Sequence, residues 1–567
     1  MRSILRASAL CWAVLLLGCK EPPRGPRYRG DGNAHARAGG TLVVHHEADV
    51  RGLDPATSYD EVSQIAIKLL FDGLLDYDYE LNLIPRIASA LPTISEDGKT
   101  FTFHLKRGVR FSNGRELVAE DVRWSMEHML APSTSSPGVG FFSLLVGLSE
   151  FAEGHSPHVS GIRVLDRYTI EFELTAADQT FLNAMAMPFT YPVPRENYAA
   201  HPTDVARNPV GAGAYTLEEW EPGVRLIFKR NPRYFEASTP RADRVLYEVN
   251  LQRESAFLRF RNGDLDHAHR FTPADRLFLR RSTQWAPYRV EGSGGDIWGL
   301  AMNCEMAPFN NVHVRRAVAF AMDRERWSRA RNYALRPIGQ ALPPEIPGYS
   351  TTLSSVQSFN RARAREELAL AGYPNGIEAP VTMWISEGAT GTLYAELAQA
   401  DLRAIGIKLE IKQVSFSIYL QQTARAHTAQ MSLAGWNQDF PSAATFLDIL
   451  FHSRNARPAD AENRAFYRNA SVDALLDRAR TERDSVLRRN LYEQANEIVT
   501  RDAPWAFLFT SIRIEAYQPY VRNYRIHGLW SEFYRDVWLD LPRQRVAMRA
   551  AQNPWRNLAA LMPFGGL

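Results

Sequence analysis

From residue 41 onward, short runs of β-branched and aromatic residues alternate with turn-forming ones. TLVVHH at 41–46, TFTFHL at 100–105, YTIEFEL at 168–174, VRLIFKR at 224–230 and RVLYEVN at 244–250 each predict a strand. A helix over Glu120–Leu130 follows the Ser112-Asn113-Gly114 turn. The second half leans helical. Asn360 caps ARAREELALA, which stops at Gly372, and Ser471 caps VDALLDRAR. Val486, Leu487, Asn490, Leu491, Gln494, Ala495, Ile498 and Val499 trace one helical face that should point into a core. Strands recur in IGIKLEIKQV at 405–414, in MSLAGW at 431–436, and in WAFLFT and IRIEAY near the end. This alternation places the chain in the α/β class. No internal repeat is visible, and residues 545–567 lack a clear pattern, as expected of a loosely docked tail.

Length and composition sharpen this reading. At 567 residues, 45% of them hydrophobic, the chain predicts two to four sizeable domains. The formal charge of +3 misleads, because residues 1–40 carry seven Lys or Arg against two acids, leaving the rest near −2. A near-neutral body gives no basic face for nucleic acid. The first twenty residues have Arg2 and Arg6, an apolar run from Ala7 to Leu17, then Gly18 and Cys19. They read as a secretory signal, too short for a stable membrane span. Leu16-Leu17-Gly18-Cys19 resembles a bacterial lipobox, although Leu17 stands where a smaller residue is usual. That resemblance implies removal of 1–18, lipidation of Cys19 and a lipid anchor on the periplasmic side of the cell envelope. Residues 19–40, rich in Pro, Gly and Arg, should then be a flexible tether. Cys11 leaves with the signal, so Cys304 is the one remaining thiol; it sits in an apolar run and reads as structural.

Catalytic chemistry is not visible. His155-x-x-His158 and His45-His46 lack the ligand spacing of a metal site and read as surface or strand residues. No GxSxG elbow, HExxH, Walker A loop or CxxC pair occurs. Gly211-Ala212-Gly213 precedes a predicted strand rather than a helix, so it reads as a turn and not a dinucleotide loop. Asp76 and Asp78 lie in a Tyr-rich segment and read as solvated turn residues. The expectation is a protein that is not an enzyme and carries no metal or cofactor.

One carboxylate stands apart. Asp439, in AGWNQDFPSAATF, is the only formally charged residue between Arg425 and Asp448. If buried it must be protonated or matched by a cation from outside the chain. The wider pattern gives that idea a context. GTLVVHHEADVRGLDPATSYD, ISEDGKTFTFHLKRGVRFSNGRELVAEDVRWSMEHML, NPVGAGAYTLEEWEPGVRLIFKRNPRYF, MNCEMAPFNNVHVRRAVAFAMDRE and AGWNQDFPSAATFLDILF occur in order over residues 41 to about 530. Together they resemble the family 5 extracellular solute-binding proteins, the oligopeptide, dipeptide and nickel receptors of ABC importers.

The resemblance implies a two-lobed, periplasmic-binding-protein-like clamp of class II type. Lobe I would take 41–305, with an extra β-rich subdomain at about 80–205, and regain the chain over 525–567; lobe II would take 306–524. It further implies a monomeric receptor that closes over a short peptide and passes it to an ABC permease, with a nickel chelate or another small solute as the alternative and a secreted hydrolase as a more distant one. Asp439 matches the family Asp that pairs with a peptide α-amino group. Gly435, Trp436 and Asn437 fall on the strand beside the ligand, and Trp298, Glu47 and Ala48 lie where relatives line the cleft. Ser442, Ala443 and Ala444 replace the Pro and acidic residues that many relatives carry there.

Overall fold

A computed structural model describes residues 26, 29–32 and 35–542. The leader at 1–18, Cys19 and the tail from 545 lie outside the described residues.

The strand Thr41–His45 runs parallel to Arg244–Glu248, which pairs antiparallel with Arg225–Arg230 and so with Tyr215–Glu221. Alternation puts Leu42, Val44, Leu226, Phe228, Val245 and Tyr247 on one buried face, against Val62, Ile65, Ala66 and Leu69 of the helix Glu61–Leu70. That helix starts where the Asp60 carboxylate accepts from Ser63 N at 2.9 Å. Its end explains the glycines at 211 and 213. A Cβ on either would lie 2.3 Å from the Leu70 backbone, so only glycine allows this approach.

A second four-stranded sheet holds Thr93–Ile94, Thr100–His104, Thr169–Glu173 and Ile162–Asp166 in that order. Phe101, Phe103, Ile170 and Phe172 pack there with Val122, Met126 and Met129 of the helix Ala119–Leu130. This is the extra β-rich unit.

The largest sheet joins the halves. Its order is His267–Ala268, Trp505–Tyr517, Asp296–Met302, Met431–Asn437, Ile377–Ser386 and Ile407–Val414. Trp505–Tyr517, expected as two strands, is one strand of 13 residues. From Trp505 to Ser511 it pairs with Asp296–Met302 and Leu335–Pro337; from Ile512 to Tyr517 it pairs with Arg289–Ser293 and His267–Ala268. Asp296 ties the change of partner, accepting from Ser511 N at 2.7 Å and from Trp298 Nε1 at 2.8 Å. The architecture is thus α/β and two-lobed, with one lobe on the first sheet and its β-rich unit, and the other on the far part of the large sheet.

Several local expectations change. The Ala470–Thr481 helix is capped by Asn469, which bonds Ser471 N and Val472 N, and not by Ser471. On Ser485–Asp502 the buried face is Leu491, Tyr492, Ala495, Asn496, Val499 and Thr500, while Val486 and Leu487 are more than half exposed. Buried Asn496 is accommodated because its amide bonds Gln340 Oε1 and its carbonyl accepts from Ala341 N. Of the surface and strand readings for His45 and His46, the strand one holds: His45 ends the strand Thr41–His45 and His46 follows it. Both are buried beside His269, whose Nε2 bonds His45 O at 2.9 Å and whose Nδ1 lies 2.7 Å from Glu532.

Asp76 is likewise buried and not a solvated turn residue. It accepts from Lys68 Nζ at 2.8 Å and from Trp530 Nε1 at 2.9 Å, and the ammonium lies 4.1 Å from the Trp530 ring centre. This contact fastens the returning segment to the first lobe. The end of the expected tether is also held there, through Arg37 on Asp540 at 3.0 Å and Gly39 N on Arg241 O at 2.7 Å. Cys304 is half-buried, and burial pushes its thiol up to about 11, which keeps it protonated and inert.

Candidate functional site

The strand Met431–Asn437 has two different edges. Along one it pairs fully with Asp296–Met302, in the register Asp296 to Asn437 and Trp298 to Gly435. Along the other it meets Ile377–Ser386 only at Met431 and Ser432. Beyond these, the Tyr419 hydroxyl donates to Leu433 O at 2.6 Å, and from Ala434 to Asn437 no described strand takes that edge. Four residues of open edge thus lead directly to Asp439.

The side chains along this edge fit that opening. A Cβ at Gly435 would lie 2.7 Å from the Trp298 ring, so glycine lets the indole rest on the strand. Trp298 is fixed from behind by Asp296 and stacks on Phe509 with centroids 6.1 Å apart. Trp436 is half-buried, and its buried indole N–H has no partner among the described residues. An unpartnered donor of this kind is suited to a carbonyl brought by a ligand. Gly435 and Asn437 are exposed.

Asp439 follows in the turn, before the helix Ala444–Phe451; Ser442 Oγ accepts from Ala444 N at that helix's start, one residue ahead of Ala443 at the cap. Its Oδ2 accepts from Thr445 Oγ1 at 3.1 Å, and its backbone N donates to the same hydroxyl at 3.1 Å. Its Oδ1 accepts from the hydroxyl of Tyr59, which belongs to the other lobe. The Tyr59 ring leans on Phe189, with centroids 5.2 Å apart. No described Lys, Arg or His side chain pairs with Asp439. Desolvation therefore raises the carboxyl above its ordinary range, against the two hydroxyl bonds that favour the anion. Tyr59 and Thr445 were missed in the sequence. Thr445 lies six residues on, within the conspicuous segment, whereas nothing local marks Tyr59.

Glu47 and Ala48 are not joined to this constellation by any contact. Glu47 pairs with Arg253 at 2.6 Å and Arg270 at 3.5 Å; burial opposes ionisation, but the Arg253 hydrogen bond and both guanidiniums hold the carboxyl below its usual range. Ala48 is exposed, and its N–H donates to His46 Nδ1 at 3.0 Å.

The lobes also touch away from Asp439. Gln438 Nε2 donates to Gly528 O at 2.5 Å. Arg480 binds Asp178 Oδ2 through Nη2 at 2.7 Å and Nε at 3.1 Å, and Arg483 reaches Glu96 O at 2.6 Å. The two lobes are thus in direct contact at several points. Among the described residues no group of three or more His, Cys, Asp or Glu is arranged to hold a metal ion.

A family model described as bacterial extracellular solute-binding proteins, family 5 Middle, matches residues 82–458. The chain is 25% identical over 532 residues to the probable deoxycholate-binding periplasmic protein YgiS of Escherichia coli, covering 92% of this chain and 96% of that protein. It is 25% identical over 505 residues to the periplasmic oligopeptide-binding protein OppA of Escherichia coli, covering 85% and 89%. The solved structure of clavulanic acid biosynthesis oligopeptide binding protein 2 superposes with a TM-score of 0.83 at 24% identity, covering 91% of this chain and all of that one.

Proposed function

The chain belongs to the family 5 bacterial extracellular solute-binding proteins, and on that premise we propose that it is a peptide receptor of an ABC importer. The observation that carries this reading is the open edge Ala434–Asn437 ending at a half-buried carboxylate without a cation among the described residues. An extended peptide can lie along such an edge, where main-chain hydrogen bonds give affinity independent of sequence. Its α-ammonium then meets Asp439, supplying the one charge the site lacks. Trp436 offers its indole N–H to the ligand backbone, while Trp298 and Gly435 shape the wall. Glu47 and Ala48 act further out on the rim. Peptide delivery to a permease follows from closure of the lobes, and lipidated Cys19 holds the receptor at the envelope. We place the changeover between the lobes at Gly294–Asp296 and Ser511–Ile512, ahead of the bounds at 305 and 524 that the resemblance implies, so that lobe I ends at the first of these points and resumes at the second.

Calorimetric titration of the purified protein with trialanine and with N-acetyl-trialanine tests this. The free peptide should bind, and acetylation should weaken binding at least tenfold. Equal affinity for both, or binding of neither, would overturn the ammonium assignment. A second reading rests on a specific observation: the Tyr59 hydroxyl already satisfies one Asp439 oxygen, and the YgiS relative is named for a steroid acid with no amine. In that reading the solute is a non-peptide acid, and deoxycholate binds where trialanine does not.

A further inference from the structure

Asp448 is buried in the second lobe on the helix Ala444–Phe451, and its Oδ1 has no hydrogen-bond partner among the described residues. Its Oδ2 lies 3.9 Å from Arg454 Nη2, beyond a hydrogen bond. An isolated buried carboxylate is costly. Arg480, on the neighbouring helix Ala470–Thr481, is the strong cation close by, but both its bonds go across the cleft to Asp178. Asp178 is positioned to receive them, because its Oδ1 accepts from Thr180 N at 2.8 Å and from Thr180 Oγ1 at 2.7 Å. Gln179 N on Arg480 O, at 2.9 Å, completes the clasp. The guanidinium thus bonds the other lobe and not the carboxylate within its own.

We infer that Arg480 is shared between two lobes, held by Asp448 when they part and by Asp178 when they close, so that closure is linked to uptake of a proton on Asp448. When the lobes separate, Asp178 leaves with the first lobe and Asp448 is the acid left near Arg480. When they meet, Asp448 loses that partner and takes a proton. The remaining charged and titratable groups around it do not replace Arg480. Arg454 is committed to Asp477 at 2.9 Å, His452 lies between Asp473 and Asp477, Arg488 binds Gln179, and Tyr492 is neutral. Desolvation raises Asp448 to about 7; Arg454 and Arg480 lower it, and Asp178 and Asp477 raise it. The sign follows. The closed form binds the extra proton, so closure is favoured as pH falls through about 7 and gains nothing further below the ordinary carboxylate range. The ratio of closed to open should rise about tenfold from pH 8 to pH 6.

This inference concerns lobe closure and not the identity of the solute, so it can fail or hold separately from the peptide reading. The test measures interlobe distances by electron-spin resonance in ligand-free protein, with labels at Leu165→Cys and Phe416→Cys in a Cys304→Ser background. The closed population should grow from pH 8 to pH 6. Asp448→Asn should keep the protein closed across that range, because the amide cannot hold Arg480. Arg480→Gln should leave it mostly open and insensitive to pH, and this second variant decides the matter if Asp448→Asn folds poorly. A flat response in the unsubstituted protein, or an unchanged response in either folded variant, overturns the inference.

Discussion

The hydroxyl of Tyr59 donates to Asp439 across the boundary between the lobes. The carboxylate at the end of the open strand edge therefore has a donor but no countercharge, and the donor belongs to the part of the protein that must move for a solute to enter. Tyr59→Phe keeps the ring on Phe189 and removes only this bond. A hydrogen bond to a charged group contributes about 1.5–3 kcal/mol, so the variant should be measurably more open without ligand, as a larger radius of gyration in solution scattering. An unchanged radius would mean that the bond does not help hold the lobes together.

Asp439→Asn should cost trialanine about 2–5 kcal/mol of binding, as expected when one partner of a buried charged contact is removed. The acetylated peptide should lose little. The empty protein should respond in the opposite direction. Because the folded-state carboxyl is raised, its protonation adds stability at low pH that is lost as pH rises through the folded value. Thermal melting of the empty protein should show this dependence, and the Asn variant should lack the Asp439 part of it.

Gly435→Ala places a methyl group 2.7 Å from the Trp298 ring. Overpacking of this kind costs about 1–3 kcal/mol, and the indole must shift off the strand. Urea unfolding should register the loss, and ligand affinity should fall with it. A neutral effect on both would show that Trp298 is not constrained by this strand.

Lys68→Ala leaves Asp76 buried without its ammonium. Removing one partner of a buried pair costs about 3–5 kcal/mol, and here the Trp530 contact that holds the returning segment weakens as well. Denaturant titration should show the lowered midpoint. Lys68→Met, which retains the hydrophobic stem, should lose less than Lys68→Ala.

Which of these features the sequence betrayed depends on the range of the interaction. Asp439 stood out because its isolation is a local fact of composition, and the segment MSLAGW leading to it already predicted a strand. Tyr59 is 380 residues away and carries no local mark. Asp76 was read as a solvated turn residue by its chemistry, yet it is buried because distant partners, Lys68 and Trp530, offset its burial. The helix Ser485–Asp502 erred the other way. Val486 and Leu487 match an apolar stripe but emerge beyond the core, where Asn496 and Thr500 are accepted through hydrogen bonds. Propensity and periodicity see neighbours along the chain, whereas burial of a polar group is decided by partners that only folding supplies.

The 13-residue strand Trp505–Tyr517 is sewn into both jaws of the clamp. A jaw that melted alone would have to surrender half of a strand whose other half stays paired. The two should accordingly melt together, as one calorimetric transition, and the clamp's freedom to gape is confined to a backbone twist where Asp296 grips Ser511.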